Sequence, residues 1–213
     1  MKTISATLAV AIAALCAACA TPERSRNLND PSVPARTLAE QVCSNCHGID
    51  GNSVSPNFPR LAAQQPAYVV EQLTGFRNQH RSDPAGFEYM WGLSRHLTDG
   101  QIEGLAAYFS AQAAAPNAPG NAALAARGAD VFEHGVPAKD IPACATCHGP
   151  KAEGNGGFPR LAGQHADYIV KQLLVFQRTN ERPEGAVMKT VAHLLTHDNI
   201  VAVAAYLQGL PPR

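Results

Sequence analysis

Aromatic residues are scarce in this chain of 213 residues: Phe, Trp and Tyr together make 6%. Neither half of such a chain holds a large aromatic core. Its hydrophobic fraction of 46% leans heavily on Ala, and small domains of that kind ordinarily need a staple. Charge of one sign is missing too. Lys plus Arg and Asp plus Glu number 17 each, which gives no basic field for nucleic acid and no polybasic membrane patch. No alternating apolar pattern marks a strand, and beyond the N-terminus no apolar run is long enough to cross a bilayer.

What the N-terminus holds is an export signal over residues 1–20: Lys2, an apolar stretch from Leu8 to Ala18, then small residues and the polar Thr21-Pro22-Glu23-Arg24. The stretch is continuous rather than one-sided, which argues against a core helix. Two processing routes compete. Ala18-Cys19-Ala20 fits removal of the signal, whereas Leu15-Cys16-Ala17-Ala18-Cys19 resembles a loose lipoprotein signal that would leave a lipid anchor at Cys19. Either route delivers the chain to the periplasm.

Apart from Cys16 and Cys19 in the signal, the cysteines fall in two pentapeptides, Cys43-Ser44-Asn45-Cys46-His47 and Cys144-Ala145-Thr146-Cys147-His148. Both read C-x-x-C-H, the attachment pattern of a c-type haem. Two thiols on one helical turn can each add to a vinyl group of one porphyrin, and the next residue then lies beneath the iron. His47 and His148 are therefore the expected proximal ligands, with Cys43, Cys46, Cys144 and Cys147 as covalent attachment points for two haem c groups. A zinc site, a thioredoxin-like pair and simple disulfides fit less well. The same His follows both pairs, the pairs sit in separate repeats, and no strand precedes either one.

The halves repeat each other. Phe58-Pro59-Arg60-Leu61-Ala62 returns as Phe158-Pro159-Arg160-Leu161-Ala162, followed in register by Gln64 and Gln164, Tyr68 and Tyr168, Gln72-Leu73 and Gln172-Leu173, and Phe76 and Phe176. Between them the stretch around Pro116 and Pro119 reads as a linker. The expected organisation is a first domain at 32–112, a linker at 113–119 and a second domain at 120–213. The fold class is all-α. Thr37 with Glu40 and Thr98 with Gln101 make capping-box patterns, Pro66 opens a helix carrying Val69, Leu73 and Phe76, and Asn121 and Thr196 are expected caps.

Methionine occurs only three times, and the two beyond Met1, Met90 and Met188, fall at matching points about forty residues after His47 and His148. With one unfilled iron face per domain, they are the expected sixth ligands. The remaining histidines, His80, His96, His134, His165, His193 and His197, lack partners in the other repeat and read as surface or loop residues. Trp91 reads as packing rather than a redox relay.

These residues resemble the cytochrome c4 family, two-domain dihaem members of the class I cytochromes c. The resemblance rests on both C-x-x-C-H motifs, the two Phe-Pro-Arg-Leu-Ala blocks, the Ile141-Pro142-Ala143 approach to Cys144 and the matched Met90 and Met188. It implies tandem class I cytochrome c domains related by a pseudo-twofold axis, each around one haem c with His/Met ligation. The implied role is a periplasmic electron carrier, not an enzyme, with a respiratory donor complex and a terminal oxidase as redox partners. It also implies that the Pro59 and Pro159 carbonyls orient the ligand histidines, and that Arg60 and Arg160 face haem propionates. The stretch Gly86-Phe87-Glu88-Tyr89 has no close counterpart before Met188, so unequal iron surroundings are expected. An electron-accepting subunit of a periplasmic dehydrogenase is the alternative, and a dihaem peroxidase-type enzyme a more distant one.

Overall fold

The computed structural model describes residues 21–212; the export signal and Cys19 lie outside the described residues. The first half begins with α1 (Ala35–Leu38), which continues through one wide π turn (Ala39–Cys43) into α2 (Ser44–His47). Then come α3 (Pro66–Arg77), α4 (Pro84–Ser94) and α5 (Asp99–Ser110). The second half repeats the order with α6 (Ala122–His134), α7 (Ala145–His148), α8 (Ala166–Arg178), α9 (Ala186–Ala192) and α10 (His197–Gly209). Among the described residues no strand forms; the only sheet-like pairs are the isolated bridges Val136–Ile141 and Asn155–Phe158.

Local chemistry sets most of these boundaries. Thr98 accepts from the Gln101 amide while the Gln101 side chain reaches back to the Thr98 N–H, and Thr196 with Asn199 does the same, so α5 and α10 open on full capping boxes. Asn121 caps α6 by accepting from the Leu124 N–H at 3.1 Å. Pro66 occupies the first turn of α3, where its missing N–H costs nothing. One expectation fails. Thr37 does not cap the helix that leads to Cys43, because that helix opens a turn earlier with Pro34 as its N-cap; Thr37 is buried inside it and donates to Glu23 O at 3.3 Å. The polar segment before Pro34 folds back to supply that acceptor, a tertiary contact that local spacing does not encode.

Each half buries its own core. In the first, Val33, Leu38, Ile102, Leu105 and Phe109 pack together with Cys43 against them. In the second, Phe132, Leu173, Phe176, Ile200 and Leu207 do so, with Cys144 and Met188 packed on the same cluster. Backbone-close helix crossings build both cores. A Cβ at Gly128 of α6 would lie 2.0 Å from Ala202 O of α10, and one at Gly104 of α5 would lie 2.5 Å from the Ala35 Cβ of α1. Only glycine permits either approach.

The two halves meet through polar groups that exchange partners reciprocally. The Arg60 N–H donates to Gln164 Oε1 at 2.9 Å and the Arg160 N–H to Gln64 Oε1 at 2.7 Å. The side-chain amides of Gln64 and Gln164 return donations to Arg160 O and Arg60 O, each at 3.0 Å. Such an i-to-j, j-to-i pattern is what a twofold relation between similar units produces. Residues 113–121 run without regular structure beside this junction, held by Asn52, whose side chain donates to Ala113 O and accepts from the Ala115 N–H.

Candidate haem-binding sites

Both C-x-x-C-H segments sit on single helical turns, so each pair of thiols shares a helix face while the following His turns inward. His47 is 7% exposed and His148 5%. In each, Nδ1 donates to a proline carbonyl, His47 to Pro59 O at 2.8 Å and His148 to Pro159 O at 2.9 Å. A carbonyl can only accept, so Nδ1 carries the hydrogen and Nε2 keeps its lone pair for a metal. Burial pushes both imidazoles below their ordinary pKa against the pull of those carbonyls. A neutral ring with a fixed tautomer is what a ligand histidine requires. Phe58 and Phe158 each meet their histidine edge-on with centroids 6.2 Å apart, so both rings stand in the same packing frame.

None of the four cysteines forms a disulfide. Burial raises the Cys43 thiol to about 12 and the Cys144 thiol to about 11, which keeps both protonated. Among the described residues no group of three or more His, Cys, Asp and Glu side chains is arranged to hold a metal ion. Two unpaired thiols beside a buried, tautomer-fixed histidine fit a covalently attached haem in each half.

Each methionine lies within the helix that precedes the last helix of its half. Met90 is in α4, where the Ser94 hydroxyl donates to its carbonyl at 2.6 Å. The preceding Tyr89 meets Phe58 with centroids 5.8 Å apart, which ties α4 to the ring that packs on His47. Met188 lies in the shorter α9 and packs on the same core as Cys144. The two surroundings are unequal, since Val187 stands where Tyr89 stands in the first half. Trp91 stacks on Phe87 with centroids 5.5 Å apart, and Arg95 lies over the Trp91 ring at 5.3 Å, a ladder along α4.

The Arg60 guanidinium donates to Ala115 O at 2.6 Å and to Pro116 O and Gly163 O at 3.4 Å each, so it fastens the segment between the halves. The buried arginines the sequence reading missed are Arg81 and Arg182. Arg81 pairs with Asp83 at 2.7 Å and Arg182 with Glu184 at 2.9 Å. The carbonyl oxygens of Gln72 and Gln172 each accept from both guanidiniums across the junction. Each guanidinium also lies over an aromatic ring of its own half, Arg81 over Phe76 at 4.4 Å and Arg182 over Phe176 at 4.7 Å. The signal was legible with a one-residue shift: Arg-x-Asp begins nine residues after Gln72 and Arg-x-Glu ten residues after Gln172.

This fold and these paired sites define a two-haem c-type cytochrome. The model of the cytochrome c family matches residues 32–112 and again 125–211. The chain belongs to the cytochrome c4 family: it is 42% identical to cytochrome c4 of Thiocapsa roseopersicina over 86% of its length and 94% of that protein. The crystal structure of reduced cytochrome c4 from Pseudomonas stutzeri superposes with a TM-score of 0.75 at 36% identity, covering 86% of this chain and all of that one. A thiosulfate dehydrogenase electron acceptor of Stutzerimonas stutzeri is 35% identical over 81% of this chain and 80% of that protein. The chain carries two covalent haem c groups at Cys43, Cys46, Cys144 and Cys147, and it is an electron carrier that works with redox partners.

Proposed function

We propose that this chain works in the periplasm as a six-coordinate, two-centre carrier. His47 and Met90 would serve as axial ligands in a first domain at 32–112, and His148 and Met188 in a second at 120–213. When bound, each haem c supplies an iron that takes up and gives back one electron. The observation that carries the reading is the matched Nδ1–H···O=C bond to Pro59 and Pro159, which holds both Nε2 lone pairs inward. The cysteine thioethers would prevent cofactor loss, and the methionine sulfurs would fill the positions a substrate would need. A thioether ligand raises the reduction potential, and apolar surroundings act in the same direction by disfavouring the more highly charged site. Tyr89 beside Met90 and Val187 beside Met188 make the two potentials distinct.

The test is an absorption and redox titration of haem-loaded protein. Two haems per chain, two separable one-electron steps and an iron–thioether charge-transfer band are expected. Met90→Ala and Met188→Ala should each remove about half of that band; a band untouched by either change defeats the ligand assignment.

Donor and acceptor are proposed as a respiratory complex and a terminal oxidase. The 35% identity to a thiosulfate dehydrogenase electron acceptor favours a second reading, an accepting subunit of a periplasmic dehydrogenase. Stoichiometric co-purification of the full chain with a cofactor-bearing dehydrogenase subunit supports the second. Cyanide-sensitive oxidation of the isolated chain by oxidase-containing membranes supports the first.

A further inference from the structure

Position 65 and its repeat counterpart 165 differ in chemistry while each reaches a backbone carbonyl across the junction. Gln65 donates through its side-chain amide to Glu153 O at 3.0 Å, across the junction. His165 reaches the other way, its Nε2 lying 2.9 Å from Ser53 O and 3.0 Å from Ser53 Oγ. Far from being a surface residue, His165 is 6% exposed. One end of the pseudo-twofold pair is thus built from an amide that never titrates and the other from an imidazole.

The partners of His165 define its working form. Ser53 O can only accept, so Nε2 bears the hydrogen. Nδ1 faces the Asn117 side-chain NH2 at 3.4 Å. That amide is fixed, because the same NH2 donates to Gly163 O at 3.2 Å while Oδ1 accepts from the Ala118 N–H at 2.9 Å. Nδ1 is therefore an acceptor, and a second ring proton would set N–H against N–H. Burial is the main influence against the charged form; the Ser53 carbonyl favours it, the Arg60 charge opposes it and Asp167 favours it. The linker on the Asn117 side has no ionisable side chain between residues 113 and 119. On the loop that carries Ser53 the ionisable group is Asp50, whose carboxylate is taken up by the Asn52 N–H at 3.0 Å.

We propose that His165 is a positioning residue for the two haem domains, holding the junction closed at the linker only while its imidazole is neutral. Acidification then loosens this end of the junction, while the Gln64–Gln164 exchange and the Arg81–Gln72–Gln172–Arg182 network have no group that titrates in the same range. The sign follows from linkage: the closed form binds the proton more weakly than the open form. Closure is complete above the ordinary His value of ~6.5 and weakens as pH falls below it, until the closed form itself is protonated. Over that interval one proton is taken up per opening, so the open fraction rises about tenfold per pH unit.

Amide hydrogen exchange on the haem-loaded full chain, kept reduced, reads this directly at the Ala115 N–H, which Asn52 Oδ1 holds at 2.8 Å beside the linker. His165→Gln installs the residue type that serves at position 65 and keeps a donor for Ser53 O. Comparing wild type with this variant at equal pH cancels the intrinsic pH dependence of exchange. The ratio of exchange rates should rise about tenfold per unit as pH falls below ~6.5 and then level off. A ratio independent of pH between 7.5 and 5 overturns the proposal. In the wild type alone, the His165 ring resonances should titrate below the ordinary range; titration at ~6.5 with unchanged Ala115 protection overturns it equally.

Discussion

At the scale of single residues, the molecule depends on a few buried polar groups whose partners leave them no freedom. His47 and His148 are held by carbonyls of the residues just before Arg60 and Arg160, so ring orientation and junction contacts share one short stretch of backbone. The charged counterpart is Arg81 with Asp83, whose side chains are 5% and 1% exposed. Arg81→Leu would leave the Asp83 carboxylate buried without its counter-ion and should lower unfolding free energy by about 3–5 kcal/mol. Arg81→Leu with Asp83→Leu removes both charges and should cost markedly less, since the penalty lies in the unpaired ion. Guanidinium unfolding of the haem-loaded protein separates the two, and equal losses would mean that side-chain packing rather than charge is at stake.

At the scale of elements, α5 and α10 are the best-specified helices, each opened by a capping box and each forming the final wall of a core. Thr98→Ala and Thr196→Ala should each cost about 1 kcal/mol, measured by thermal or denaturant unfolding. Thr37→Ala, despite its similar sequence setting, should not behave as cap loss, because Thr37 lies inside a helix. The helices that carry the methionines diverge most between the halves, with α4 four residues longer than α9 by their bounds, Pro84–Ser94 against Ala186–Ala192. That divergence gives the two centres different neighbours within one repeated plan.

At the scale of the whole molecule, stability and pairing of the halves are coupled through the junction, which makes them acid-sensitive in two steps. His165 acts first, below ~6.5. Asp83 acts later: burial pushes its carboxyl upward, but the charges of Arg81 and Arg182 and the Arg81 hydrogen bond outweigh burial and hold it below the usual carboxylate value. A depressed carboxyl contributes fully above its unfolded value of ~3.9 and loses that contribution as pH falls through the lower folded value. Unfolding free energy should therefore drop steeply below pH ~4, and Asp83→Asn should flatten that limb of the profile.

Both C-x-x-C-H motifs and the helical caps at Thr98, Asn121 and Thr196 were legible in the sequence, because each is a local pattern whose chemistry lies within a few residues. Repetition made Met90 and Met188 stand out for the same reason, as matched points in a chain with little methionine. The burial of His165, the linker grip of Arg60 and the shared glutamine carbonyls between Arg81 and Arg182 were decided only by tertiary structure. Each joins residues between 55 and 112 positions apart, or sits where one half of the repeat departs from the other. Sequence spacing determines which groups share a helical turn; which buried polar group finds which distant partner is settled when two folded surfaces meet.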